Sequence, residues 1–255
     1  MRLTITTDRG DVLTAPIIQG TQKDLINLPT PQKPISTDWA ERPGLDVVDS
    51  LPLTPERERS FSVGIFLPNG EKLPRLYTNC TLSTEGKLTY SARIERYSRE
   101  EFPDGNIYTL RGAITEQPIQ QPPQGAPIDA TTDYTAAQYT LAEGITLANI
   151  GAYPLEGWYT QLLNTVKIKR QHRINPARRD ARDVTLPTLL QASSFERLMN
   201  ARERLISALY KRTRNSLATP WRRPFDYTFT RAKVSRYDFF PTHFFIIYDL
   251  TLTLL

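Results

Sequence analysis

The chain holds one cysteine, two histidines and 12 glycines in 255 residues, beside 20 prolines. A single thiol, Cys80, cannot close an internal disulfide, so no oxidising compartment is implied. In the strand-like run Leu76 to Leu82 it reads as a small packed hydrophobe. His172 and His243 do not stand at metal-ligand spacing from each other or from Cys80, which speaks against a zinc centre. A Gly-x-Ser-x-Gly elbow, a Gly-rich phosphate loop and a His-Glu-x-x-His helix are also missing. No metal, cofactor or catalytic residue is therefore expected. The acids Glu56/Glu58 and Glu100/Glu101 come closest to a carboxylate pair and read as solvated. No apolar run reaches the ~20 residues that span a bilayer. The most apolar segment, Phe244 to Leu255, is interrupted by Asp249 and reads as a strand, so no membrane contact is expected. The opening Met-Arg-Leu-Thr-Ile-Thr-Thr alternates apolar and polar residues and lacks the apolar core of a signal peptide. With proline this frequent, long helices are excluded and the chain reads as mainly β.

Charge is present, and unevenly. Residues 1–150 carry 14 Lys+Arg and 19 Asp+Glu, whereas 151–255 carry 18 and 8, so an acidic part precedes a basic one within a net charge of +5. Such a dipole suits head-to-tail or ring contacts between copies, because unlike patches attract. A Gln/Pro-rich stretch, Glu116 to Pro127, separates the parts. We read three regions: an acidic β module over 1–115, a linker over 116–133, and a basic β module over 134–255.

Period-two alternation marks the strands. Phe61, Val63, Ile65 and Leu67 alternate with smaller or polar residues, which predicts a half-buried strand from Arg59 to Leu67 ending at Pro68-Asn69-Gly70. Further strands are expected at Arg75 to Leu82, Lys87 to Tyr97 and Ile107 to Ile114, then at Ala142 to Ile150, Val184 to Leu190, Phe225 to Val234 and Phe244 to Leu255. Pro187 places its strand at an edge or a bulge. Leu3, Ile5 and Val12-Leu13 flank Asp8-Arg9-Gly10-Asp11, which reads as a hairpin turn before it reads as a receptor-binding triplet. One helix is expected over about 195–212. Ser193 with Glu196 fits a capping box, and Phe195, Leu198, Ala201, Leu205, Ala208 and Leu209 form the apolar stripe. Arg197, Arg202, Arg204, Lys211, Arg212 and Arg214 are read as its surface, with Glu196 and Glu203 interleaved.

Two segments resist regular structure. Residues 29–55 contain six prolines and are expected to form an extended excursion anchored by Trp39. Its acids Glu41, Asp46 and Asp49 make a basic partner attractive, and the run Lys167, Lys169, Arg170, Arg173 continuing to Arg182 supplies one. Trp39, Asp46, Lys167, Lys169, Arg170 and Arg173 are thus the candidate subunit-interface residues, with the excursion reaching onto a neighbouring subunit. A different reading takes the 167–182 arm as a nucleic-acid-binding module, with Tyr210, Trp221, Phe225, Tyr227 and Phe229 as stacking platforms. Phe225, Tyr227 and Phe229 share one face of a strand, which equally suits a core.

The two parts echo one another at a displacement of 137 residues. Tyr90, Ser98, Arg99 and Phe102 map on Tyr227, Ser235, Arg236 and Phe239, and Leu25-Ile26-Asn27 on Leu162-Leu163-Asn164. Each part also runs through an excursion rich in Pro or Arg, an alternating strand and a closing hairpin, as an internal duplication would. The helix has no counterpart in the first part.

With Gly157-Trp158, Leu162-Leu163, Ala181 to Leu186, the 193–209 helix and the ending Tyr248-Asp249-Leu250-Thr251-Leu252-Thr253-Leu254, the second part resembles the distal tail protein family of long-tailed bacteriophages. The Trp39 to Val47 region is similar to segments of tail-tip proteins. The resemblance implies two tube-like β-sandwich or split-barrel modules with one flanking helix. It also implies a virion protein of the tail tip, assembled in the host cytoplasm, that forms a trimeric or hexameric ring. The expected partners are the tail tube protein, the tail hub or tip protein with the receptor-binding apparatus, and the tape measure protein. No inserted carbohydrate-binding module is visible, so receptor recognition is not expected of this chain itself.

Overall fold

Alternating burial along each strand accounts for most of the architecture. The computed structural model describes residues 1–34, 36–37, 46–47, 51–73, 79–85, 88–119, 138–141, 145–148, 168–169, 178–179, 182–192, 194–219, 222–240 and 243–255. The chain is mainly β, with two six-stranded antiparallel sheets in two compact units. The first unit comprises Met1–Pro29 and Glu56–Pro118; the second comprises Thr30–Pro55 and Ile119–Leu255. The proline-rich excursion thus interrupts the first unit and folds with the second.

In the first unit β1 (Arg2–Thr7) and β2 (Val12–Pro16) form a hairpin whose turn needs the positive φ of Gly10, 85°. A four-residue helix, α1 (Lys23–Ile26), follows. Beyond β3 (Ser36–Thr37) and β4 (Asp46–Val47), which lie in the excursion, come β5 (Glu58–Pro68), β6 (Asn79–Thr84), β7 (Leu88–Phe102) and β8 (Gly105–Thr115). The sheet order is β2-β1-β6-β7-β8-β5. Leu3 and Ile5 of β1, Phe61, Val63, Ile65 and Leu67 of β5, Leu82 of β6 and Leu110 and Ile114 of β8 meet in one core, as the period of two predicts. Of the strand expected at Arg75 to Leu82, residues 75–78 lie outside the described residues and the rest falls in β6, while β7 extends five residues past the expected Tyr97.

The sheet curls until its outer strands meet. Ile17, just past β2, bridges Ile65 on β5, and the Ile18 amide donates to the Gly64 carbonyl at 2.8 Å. Farther along, the β5 amides of Gly64 and Ser62 donate to Thr21 Oγ1 and Asp24 Oδ2, each at 2.9 Å, so side chains from 21–24 finish this edge. Between β7 and β8 the backbones approach too closely for a side chain. A Cβ at Gly112 would stand 1.9 Å from the Arg93 carbonyl, beside the bulge between Ile94 and Arg96.

The second unit is built from β9 (Gln138–Leu141), β10 (Ile145–Ala148), β11 (Ile168–Lys169), β12 (Arg178–Arg179), β13 (Arg182–Ala192), α2 (Phe195–Tyr210), β14 (Asn215–Thr219), β15 (Arg222–Phe240) and β16 (His243–Leu254). Its sheet runs β10-β9-β14-β15-β16-β13, the order of the first sheet strand for strand. The short pairs β3–β4 and β11–β12 also fall at matching places, after the second strand and before the fifth. Strands β10 and β13, the outermost, come into contact. Pro187 is accommodated on β13, which ends the sheet opposite Asp249, as expected for an edge.

Helix α2 occupies the interval between β13 and β14, where the first unit has the Pro68-Asn69-Gly70 turn. Leu198, Met199, Leu205, Ile206, Leu209 and Tyr210 are buried, and the Tyr210 ring meets Phe229 edge-on at 5.6 Å. The cap is Ser194 rather than Ser193: its extended backbone lets its side chain accept from the Arg197 amide at 3.2 Å. The helix ends at Tyr210, two residues before the expected Arg212. Arg202, expected on the helix surface, is only 3 % exposed and pairs with Glu203 at 2.6 Å. Its position on the inward stripe outweighs the cost of burying a guanidinium that has a carboxylate partner.

Candidate functional site

The expected interface residues divide between described and undescribed positions. Trp39, Lys167, Arg170 and Arg173 lie outside the described residues, as do linker residues 120–133. Asp46 lies on β4 opposite Thr37, and Lys169 on β11 opposite Arg178. Each segment therefore contains a short antiparallel strand pair at its described positions. Of the six, only Asp46 and Lys169 are described, and they lie in separate strand pairs.

The excursion makes its clearest contacts inside its own unit. At its neck Pro31 bridges Pro55, the Gln32 amide donates to the Thr54 carbonyl at 2.8 Å, and Gln32 Nε2 donates to the Pro55 carbonyl at 3.1 Å. Beyond the neck, residues 51–53 lie along the C-terminal end of α2. The Leu53 amide donates to the Tyr210 carbonyl at 3.1 Å, while the Thr213 amide and Oγ1 both donate to the Leu51 carbonyl, at 2.9 and 2.8 Å. A helix C-terminus leaves its last carbonyls without intrahelical partners, and this strap supplies a donor for one of them. Leu53 is buried, whereas the neighbouring Leu51 is 53 % exposed. Part of the segment expected on a neighbouring subunit is thus engaged by α2 of the same chain. The sequence signal was only the density of prolines, which says that the segment is extended and nothing about where it docks.

A second constellation had no sequence signal at all. In the first unit Arg59, at the start of β5, is nearly buried. It pairs with Glu116, donates to the Asp24 carbonyl and lies 5.3 Å over the Tyr90 ring. Tyr90 in turn donates its hydroxyl to the Leu25 carbonyl at 2.6 Å. These contacts hold α1, which is too short to persist alone and has no side-chain cap, against the sheet.

Glu56, Glu58, Glu100 and Glu101 are all exposed, and among the described residues no three His, Cys, Asp or Glu gather to hold a metal ion. No helix among them is long and apolar enough to cross a membrane. Tyr210, Tyr227 and Phe229 are buried at 2, 1 and 0 % exposure, which removes them as stacking platforms; Trp221 lies outside the described residues.

Cys80 is buried on β6, and burial, reinforced by the negative charge of Asp8, pushes its thiol from 9.0 up to about 11. A folded pKa above the unfolded one means that this group contributes stability in full below pH 9.0, lost as the pH climbs toward about 11. At about pH 8 the folded protein is therefore expected to resist iodoacetamide and to react quickly once unfolded in denaturant, because the thiolate is the nucleophile. Equal alkylation rates in both states, read by mass spectrometry, would contradict this placement of Cys80.

Compared with protein-family models, curated proteins and solved structures, the chain matches none of them.

Proposed function

We propose that the chain is a structural, ring-forming component of a phage tail tip, built from one tube-like split-barrel unit duplicated within the gene. On this reading it works by assembly rather than by catalysis. It joins the tail tube to the tip hub and the receptor-binding apparatus, with the tape measure protein as a further partner, and it takes its place in the virion after assembly in the host cytoplasm. One observation carries the proposal: two sheets with the same strand order, β2-β1-β6-β7-β8-β5 and β10-β9-β14-β15-β16-β13. The meeting of outer strands through Ile17 and Ile65, and the approach of β10 to β13, support a split barrel in each unit.

Duplication has a geometric use. Three copies of a two-unit chain present six similar units, so a trimer can match a sixfold tube on one side and a threefold tip on the other. The acidic and basic parts of the sequence favour such head-to-tail order. Purified chain is expected to form closed trimers or hexamers by mass photometry, visible as rings in negative stain. A strict monomer at high concentration, and still a monomer with its tube protein added, would overturn the proposal.

A further inference from the structure

Among the nine asparagines of the chain, Asn69 alone precedes a glycine. It lies in the exposed turn that follows β5, where the Glu71 amide donates to the Pro68 carbonyl at 3.2 Å. Gly70 holds a φ of 94°, and a Cβ built on it would meet nothing within 4 Å. Its amide has no acceptor among the described residues. Asn69 itself ties the end of β5 to the turn between β7 and β8: its Nδ2 donates to the Pro103 carbonyl at 2.7 Å and its amide to the Asp104 carbonyl at 3.3 Å.

An asparagine side chain and the next amide nitrogen can close a five-membered ring. The Gly70 nitrogen, having lost its proton to hydroxide, attacks Asn69 Cγ and expels ammonia, which leaves a succinimide; water then opens the ring at either carbonyl to give aspartate or isoaspartate at position 69. The step needs an exposed, unhindered nitrogen, and a residue without a Cβ supplies it. Other asparagines are placed against it. Asn215 precedes Ser216, but it is 5 % exposed, its Nδ2 donates to the Arg212 carbonyl at 2.8 Å, and Ser216 is paired within the sheet. Asn106 is buried and accepts from Arg99 Nε at 3.0 Å. The remaining ones precede residues that carry a Cβ or, at Pro176, no N–H. Even the neighbouring Asp104-Gly105 is protected, because Gly105 is buried in the ladder, where a Cβ would collide with the Leu67 carbonyl.

We propose that Asn69-Gly70 is a self-modification site, at which Asn69 of the folded protein converts to isoaspartate and aspartate with water as the only co-reactant. The change replaces a donor with a carboxylate facing the Pro103 carbonyl, so that two acceptors oppose one another where a hydrogen bond stood. It also adds negative charge to a tip that already exposes Glu71, Glu100, Glu101 and Asp104. Isoaspartate further routes the main chain through the side chain and lengthens it by a methylene, which loosens the tie between β5 and the β7–β8 turn. The bond to Pro103 steadies the carboxamide and leaves the Gly70 nitrogen open, so the folded protein reacts more slowly than the unfolded chain, and at the same place.

Peptide mapping tests it. Folded protein is held for weeks at body temperature in mildly alkaline buffer, and the tryptic peptide Ser60–Lys72, in which Asn69 is the only amide side chain, is followed by mass spectrometry. It should divide into asparagine, aspartate and isoaspartate forms, the last accepting a methyl group from S-adenosylmethionine when an isoaspartyl methyltransferase is added, while the peptide that carries Asn215 stays unchanged. Asn69→Gln should slow conversion at least about tenfold, because a six-membered ring closes far less readily. If Ser60–Lys72 from the folded protein stays unconverted while the same peptide from chain unfolded in urea converts, the turn protects Asn69 and the proposal is wrong. Conversion at Asn215 ahead of Asn69, or an Asn69→Gln peptide that converts as fast as wild type, would also overturn it.

Discussion

Replacing Arg59 with methionine is expected to cost the protein ~3–5 kcal/mol, the scale of breaking a buried ion pair by removing one partner. The Arg59 and Glu116 side chains are 9 and 8 % exposed. Methionine would leave the Glu116 carboxylate without its countercharge and the Asp24 carbonyl without its donor, so α1 would lose one of its ties to the sheet. The companion double replacement, Arg59→Met with Glu116→Met, is expected to recover much of the loss. It removes both charges, and it also removes Arg59 Nη2, which is buried without a hydrogen-bond partner. Equilibrium urea unfolding measures both variants. A loss below about 1 kcal/mol for Arg59→Met would place the pair among weak surface bridges and refute its role.

The second large effect is expected at the strap. Leu53→Asp puts a carboxylate at a position 5 % exposed, beside the terminal carbonyl of α2, where the negative end of the helix dipole repels it. A loss of at least about 3 kcal/mol follows from burying an unpaired charge. Thr213→Val should cost only ~1 kcal/mol, because it removes one hydroxyl bond to Leu51 and keeps the backbone bond. Amide exchange should therefore quicken through the last turns of α2 in Leu53→Asp and change little in Thr213→Val. Unchanged exchange in α2 with Leu53→Asp would show that the strap is not part of this unit's fold.

Both sites illustrate what local pattern does not carry. Arg59 belongs to a run in which alternate positions are apolar, so its strand was legible from Phe61, Val63, Ile65 and Leu67. That it meets Glu116 is a consequence of β5 lying beside β8, with Glu58 opposite Thr115. The hydrogen bond from Thr213 to Leu51 joins residues 162 apart in sequence. Arg202 was misplaced for a related reason: its helical position is on the inward stripe, but its residue type argues for the surface. Strands β9 and β14 escaped notice because Gln-Tyr-Thr-Leu and Asn-Ser-Leu-Ala-Thr are short and weakly alternating; they exist because the neighbouring strands offer them hydrogen bonds.

The sheets and the strap divide the two kinds of information most clearly. Alternation, turn residues and the apolar stripe of the helix marked most long strands, the helix and the mainly β character from the residues alone, because burial of one face imposes a period of two or 3.6 on any chain. The shared order of the two parts was visible in the same way, as repeated patterns at similar spacing. Which strands became neighbours, and that the excursion straps α2, followed from contacts distant in sequence. Those depend on the combined energy of a whole sheet and its closure rather than on the period of any one segment, so no window of sequence records them.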